Sequence, residues 1–272
     1  MRSIKEIENS VKEMRWKALD IAYHCQNKLG AHYGSGFSMM EIFATLYSGA
    51  ANITLENKKD PNRDRIIPSK GHCVLGYYTA LNMAGFISDD LLYTFDTNNT
   101  SLHGHPTRNL DRGIEFSAGS LGLGSSYAVG VAYSCKLAGL SNRIFLIVGD
   151  GELQEGIIWE AMTIASSRHL SNLTIIVDRN RIQFDDFVEN INDMESIEDK
   201  FKSYGFATDV VDGHNVEALI AVLSKRYDRT NVVIADTVKA KGISFLENKP
   251  ESHYYAMKES EYLQALEEIK KG

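Results

Sequence analysis

Arg143-Ile-Phe-Leu-Ile-Val-Gly-Asp-Gly-Glu-Leu-Gln-Glu-Gly156, answered by Leu173-Thr-Ile-Ile-Val-Asp-Arg-Asn180, decides the fold. Each stretch contains an apolar, β-branched run of strand length that stops at polar residues. Such a run reads as a parallel strand buried on both faces. Gly149-Asp150-Gly151 closes the first run, and Asn180 lies just past the second. The 28 residues between them, 152–179, leave room for one helix, about 155–169, and the next strand. The unit is therefore β-turn-α-β with a right-handed crossover. Adjacent parallel strands lie about 4.8 Å apart, so Asp150 and Asn180 emerge side by side at the carboxyl edge, where open α/β sheets bind ligands. Oxygen ligands at one edge suit a hard cation. Gly151 can bring a backbone N–H close to an anion, and the following helix offers its N-terminus. Together these residues read as a holder for a metal-bridged diphosphate. As a bare tripeptide, Gly-Asp-Gly is more often a turn; its place after a buried strand, with Asn180 at this spacing, gives it weight.

Working towards the N-terminus, residues 4–29 carry apolar residues at helical spacing. Gly30-Ala-His-Tyr-Gly-Ser-Gly-Phe37 reads as a glycine-rich loop, and Ser38-Met-Met-Glu41 as a capping box opening a helix through Leu46. Arg65–Pro68 is short and extended, and Ser69-Lys-Gly-His72 starts a helix ending at Gly85. Residues 96–119 form the longest stretch without periodicity, which marks a functional loop. A helix at about 121–138 follows. Beyond Asn180 come a polar loop at 183–195, a helix from Ser196, a strand near 206–211, a helix from Val216 to Tyr227 and a strand at 232–238. An amphipathic helix, 259–271, ends the chain. The order predicts a three-layer α/β/α fold with a mainly parallel central sheet, as one domain over 1–272.

Composition excludes several classes. The 272 residues carry a net charge of −7 with no basic run, which argues against a nucleic-acid surface. No apolar run approaches the ~18 residues of a membrane span, and the charged N-terminus is not a signal peptide. Cys25, Cys73 and Cys135 form no Cys-x-x-Cys pair and read as buried, reduced thiols in a reducing cytoplasm.

Gly-Asp-Gly followed after roughly thirty residues by Asn resembles the thiamine-diphosphate signature. The longer match, Gly149-Asp-Gly-Glu-Leu-Gln-Glu-Gly156, resembles transketolases, specifically their amino-terminal, diphosphate-binding half. Further matches are Gly34-Ser-Gly-Phe-Ser38 after His32, Ser69-Lys-Gly-His72, Gly104-His-Pro106, Gly119-Ser-Leu-Gly122 and Asp178-Arg-Asn-Arg-Ile182. The resemblance implies that Asp150, Asn180 and the carbonyl of Ile182 bind a divalent metal, Mg²⁺ with Ca²⁺ or Mn²⁺ as substitutes. It implies cofactor contacts from Gly119, Ser120, Leu121, Gly149, Gly151 and His72. His32, His72 and His105 would face the sugar, and His253 would lie near the diphosphate. Glu155 and Glu160 would form an acid cluster between two such domains. The implied reaction moves a two-carbon ketol unit from a ketose to an aldose. It needs proton transfer at sugar hydroxyls, which imidazoles supply near neutral pH. Of the eight histidines, His24, His103, His169 and His214 keep a surface or packing reading.

Two departures from the family pattern bear on the donor rather than on activity. Ala31-His-Tyr-Gly34 replaces Gly-His-Pro-Gly, so that Tyr33 could narrow the donor mouth, and Arg112-Gly113 stands where Pro-Gly is common. The resemblance further implies a partner chain carrying the pyrimidine-binding half, in an α2β2 assembly acting on sugars or sugar phosphates. Two alternatives stay open: the α subunit of a thiamine-dependent 2-oxo acid dehydrogenase or decarboxylase, and a cofactor-binding subunit without catalysis.

Overall fold

The protein, seen in a computed structural model that describes residues 1–25 and 30–271, is built on five parallel strands in the order β1-β2-β3-β5-β4. The strands are β1 (Arg65–Pro68), β2 (Ile144–Gly149), β3 (Leu173–Arg179), β4 (Ala207–Asp212) and β5 (Asn231–Asp236). The helices are α1 (Ile4–His24), α2 (Tyr33–Ser38), α3 (Met40–Thr45), α4 (Val74–Met83), α5 (Asp89–Leu92) and α6 (Leu123–Leu137). They continue as α7 (Gly156–Ser167), α8 (Val188–Asn192), α9 (Ile197–Ser203), α10 (Val216–Leu223) and α11 (Glu259–Lys271). The first expected helix corresponds to α1; its last residues, 26–29, lie outside the described residues.

Strand alternation divides the core. Phe145 and Ile147 of β2 pack with Ile176 and Val233 under α1, α3, α4 and α10. Ile144, Leu146 and Val148 point the other way, with Ile175, Val177, Val232 and Ile234, under α6, α7 and α9. This is the expected three-layer arrangement, with period two carried by residues that are apolar on both faces. Each fully buried aliphatic side chain contributes roughly 1.5–3 kcal/mol, so the central strands carry much of the stability. The register sets Gly149 opposite Asp178. Asp150 and Asn180 therefore both lie just past the strand ends, as their spacing predicts.

The region 30–46 differs from expectation. Its glycines do not make a loop: Tyr33–Ser38 is helical. A Cβ on Gly36 would come 2.7 Å from Leu75 Cβ, and one on Gly76 would come 2.5 Å from the Gly36 carbonyl oxygen. These glycines let α2 and α4 touch backbone to backbone. Ser38 does not cap a helix either. Its hydroxyl donates to the Ser35 carbonyl at 3.1 Å and to Asp178 at 2.7 Å. Glu41 turns away to Arg15 at 2.6 Å and to His214 at 3.0 Å. A buried acid at the sheet edge outcompetes local capping because it would otherwise lack a donor. Val188–Asn192 is a short helix inside the segment expected as loop.

Candidate active site

Four loops meet at the carboxyl edge of the sheet, and Asp178 joins them. It is fully buried at the end of β3. It accepts from the Ser38 hydroxyl, from Asn180 Nδ2 at 3.1 Å, from the Lys70 ammonium and from the Thr237 hydroxyl. Those donors come from the end of α2 and from the segments after β3, β1 and β5. Burial alone would raise the Asp178 carboxyl, but Lys70 and the hydrogen bonds hold it below its ordinary value. Burial would likewise lower the Lys70 ammonium, and Asp178 outweighs it.

Beside this hub stand the three residues expected to ligate a metal. Asp150 accepts from the Gly151 N–H at 2.8 Å and from the Arg181 N–H at 2.5 Å. Burial, then the nearby Asp178 charge, pushes its carboxyl up to about 6 against those two donors. Asn180 Oδ1 accepts from the Ile182 N–H at 3.1 Å. Arg181, at φ 63°, supplies the left-handed turn between them. The Lys239 ammonium donates to the carbonyls of Ile182 at 2.8 Å and Gln183 at 3.1 Å. Burial and repulsion from Lys70 bring that ammonium down to about 8. The carbonyl expected to meet a dication thus already faces a cation.

Glu152 fixes the glycine loops. Its Oε1 accepts from the Ser69 hydroxyl at 2.5 Å and from the Gly122 N–H at 2.7 Å. Its Oε2 accepts from the Gly149 N–H at 3.0 Å. One buried carboxylate therefore ties Ser69–His72, Gly119–Gly122 and Gly149–Gly151 together. Burial raises its pKa despite the three donors.

Above this edge the structure gathers His32, His72, His105 and His253. Ring centroids are 5.7 Å apart for His32 and His72, 5.3 Å for His32 and His105, and 5.4 Å for His32 and His253. His72 stacks on His253 at 5.0 Å. Burial, then His105, lowers His32 to about 4; burial, then Lys239, lowers His253 to about 3. Burial also depresses His72 and, against the pull of Asp96, His105. Each ring is therefore neutral near pH 7 and presents one N–H and one bare nitrogen.

The residues present fit a diphosphate cofactor with a divalent metal. His253 Nδ1 and Ser35 Oγ are buried without a hydrogen-bond partner among the described residues, beside the charged edge. Gly119 borders open space, where a Cβ would meet nothing within 4 Å. Gly151 is a close approach, its notional Cβ lying 2.9 Å from Gln183 Cβ. Orphaned polar atoms, an open glycine shelf and two ammonium groups at an oxygen-rich edge suit an anion bridged by a cation.

Other expected residues fall elsewhere. Gly119 and Ser120 are exposed and Leu121 is half-buried. Glu155, at the N-terminal cap of α7, and Glu160, within it, are exposed, and no hydrogen bond links either to the histidines. Tyr33 does not narrow the mouth: it is 1 % exposed and packs 6.0 Å from Phe37. Tyr254 stands there instead, with its ring centroid 4.8 Å from that of His32. Sequence reasoning misses Lys70, Glu152, Asp178 and Lys239. Their signal is a charged residue at or just beyond the end of a buried strand.

The fold and this edge define a cofactor-binding α/β chain. Residues 7–269 match the family described as "Transketolase, thiamine diphosphate binding domain", and the chain belongs to that family. It is 36% identical over 270 residues to one of the two kinds of chain named for an apulose-4-phosphate transketolase, that of Actinobacillus succinogenes, covering 98% of this chain and 97% of that one. It is 36% identical over 248 residues to "6-deoxy-6-sulfo-D-fructose transketolase subunit SqwG" of a Clostridium species, covering 90% of each. The solved transketolase of Campylobacter jejuni superposes with a TM-score of 0.90 at 28% identity, over 99% of this chain and 43% of that one. The chain thus aligns end to end with relatives named as subunits and spans under half of the solved transketolase. Its chemistry is of transketolase type, and this family membership decides between the two enzyme readings of the sequence.

Proposed function

We propose that this chain is the diphosphate-binding and sugar-facing half of a two-chain transketolase. The observation that carries the reading is the four-histidine cluster set directly over the Asp150, Asn180 and Ile182 edge. Asp150, Asn180 and the Ile182 carbonyl would hold Mg²⁺, or Ca²⁺ or Mn²⁺ in its place. Backbone groups of Gly119, Ser120, Leu121, Gly149 and Gly151, with His72, would hold thiamine diphosphate. When bound, that cofactor supplies the carbon nucleophile and the electron sink. The protein supplies placement and protons: neutral His32, His72 and His105 can each accept a proton from a sugar hydroxyl or donate one to a developing alkoxide. His253, with an unpartnered buried Nδ1 among the described residues, can meet a polar atom of the ligand.

The pyrimidine half would come from a partner chain in an α2β2 assembly, with the exposed Glu155 and Glu160 meeting their counterparts there. Unpaired buried carboxylates are costly, so both acids would enter that interface hydrogen-bonded. The chain would form one domain, and its substrates would be sugars or sugar phosphates of carbohydrate metabolism. Three buried cysteines outside any disulfide fit a cytoplasmic enzyme. Among the described residues no helix is long and apolar enough to cross a membrane.

The test is ketol transfer from xylulose 5-phosphate to an aldose, measured with this chain alone and with the candidate partner. Transfer only by the pair is expected. Full activity from this chain alone, or none from the pair, overturns the reading.

A further inference from the structure

The cleft beneath the histidines opens through a mouth of about 520 Å³ whose lining includes His32, His105, Tyr254, His103 and Asp96. Among the described residues, Asp96 is the one acidic or cationic side chain in that lining, the neutral histidines aside. Its backbone is held at φ 50°, with its N–H donating to the Leu102 carbonyl at 2.9 Å. Aspartate and asparagine tolerate this left-handed turn better than most residues. The turn aims the carboxylate across Gly104, whose notional Cβ lies 3.9 Å from Asp96 Oδ1. Phe95, buried beneath and 6.2 Å from the Tyr78 ring, anchors the turn. Asp96 acts electrostatically on both His105 and Tyr254, so it faces the space between them. The two ammonium groups of the site, Lys70 and Lys239, are engaged at the sheet edge and do not neutralise the rim.

We infer that Asp96 is a specificity-determining residue: its carboxylate accepts hydrogen bonds from hydroxyls of the sugar passing His105 and Tyr254, and it disfavours anionic substituents there. The inference rests on the proposed ketol transfer and adds a substrate class, neutral polyhydroxy sugars. A carboxylate offers only acceptors, which pair with hydroxyl donors. A phosphate brought beside it meets like-charge repulsion in a partly desolvated mouth, a means of rejection as much as of selection.

The experiment uses this chain co-purified with its partner, loaded with thiamine diphosphate and Mg²⁺. kcat/KM is measured with xylulose against xylulose 5-phosphate as donor, and with ribose against ribose 5-phosphate as acceptor. Asp96→Asn keeps the left-handed turn and the size. It is expected to lower kcat/KM for the unphosphorylated sugars about tenfold, the size of a lost charge-assisted hydrogen bond, with little loss for the phosphorylated ones. Asp96→Lys is expected to reverse the preference, and raised salt to weaken the reversal. Cofactor affinity should match the parent in both variants, which separates this role from a folding defect. A neutral-to-phosphorylated ratio unchanged in both variants overturns the assignment of Asp96. Absence of transfer from every sugar by the parent pair overturns the underlying function instead.

Discussion

Glu152→Gln removes one charge and almost no volume, so its cost isolates the polar role of Glu152. In the parent, Oε1 accepts from Ser69 at 2.5 Å and from Gly122 at 2.7 Å, and Oε2 accepts from Gly149 at 3.0 Å. Glutamine has one acceptor oxygen. If it faces Ser69 and Gly122, its NH₂ points at the Gly149 N–H, donor against donor. If it flips, the Gly122 N–H loses its acceptor, and Ser69 can recover only by turning its hydroxyl to accept. Leaving one buried donor unsatisfied costs about 1–3 kcal/mol, and the remaining bonds lose their charge assistance. The expected destabilisation is about 2–4 kcal/mol, from urea unfolding at constant m-value. Trp159 offers a local probe, since its Nε1 donates to the Leu153 carbonyl at 2.8 Å, one residue from the substitution. Thiamine diphosphate affinity should fall at least tenfold, because about 1.4 kcal/mol of lost loop order suffices. A midpoint within error of the parent, with unchanged cofactor affinity, would refute the idea that Glu152 holds the glycine loops.

Three further outcomes are expected. Asp150→Ala should weaken Mg²⁺-dependent binding of thiamine diphosphate more than Asn180→Ala, because it removes an anionic ligand rather than a neutral one; calorimetry with and without Mg²⁺ reads this, and equal affinity with equal metal dependence would show the site misplaced. His105→Ala and His72→Ala should each lower kcat/KM roughly 10²-fold with little change in cofactor affinity; normal turnover per folded enzyme would mean the rings only pack. His32 is held neutral down to about 4, so the unfolded chain binds the extra proton between about 6.5 and 4; the resulting stability penalty is absent above 6.5 and grows to about 3 kcal/mol near pH 4. His32→Asn should remove that part of the acid slope in paired urea titrations, and parallel curves for parent and variant would count against it.

How legible the site is depends on how far apart its partners lie in sequence. The β2 and β3 runs are apolar on both faces, and the register that aligns Gly149 with Asp178 follows from their lengths. Asp150 and Asn180 can therefore be placed from spacing alone. The histidines are legible only through the glycine-rich motifs around them, since nothing local brings residues 32, 72, 105 and 253 together. Tyr33 misleads because its neighbour His32 faces the cleft; in α2 the next side chain points the other way, into the core. The glycines of 30–37 mislead because close backbone packing and loop freedom leave the same residue in the sequence.

The buried charge network is the least legible part, and its energetics explain why. Asp178 takes its donors from positions 38, 70, 180 and 237, and only Asn180 is near it in the chain. Such a cluster contributes little net stability, since desolvating Lys70 and Asp178 offsets most of their attraction. Replacing the pair by apolar residues of similar volume would cost the fold little, so core stability alone does not explain why it is there. What the pair does is fix four segments against one another before any ligand arrives. Asp150 and Lys239 are then held at the same edge as two opposed charges with shifted protonation, one carboxyl near 6 and one ammonium near 8. An incoming dication and diphosphate meet groups already in place, so the ordering cost of assembling the site falls on folding rather than on binding. Sequence patterns report the burial that drives folding, and this cluster is built against that drive.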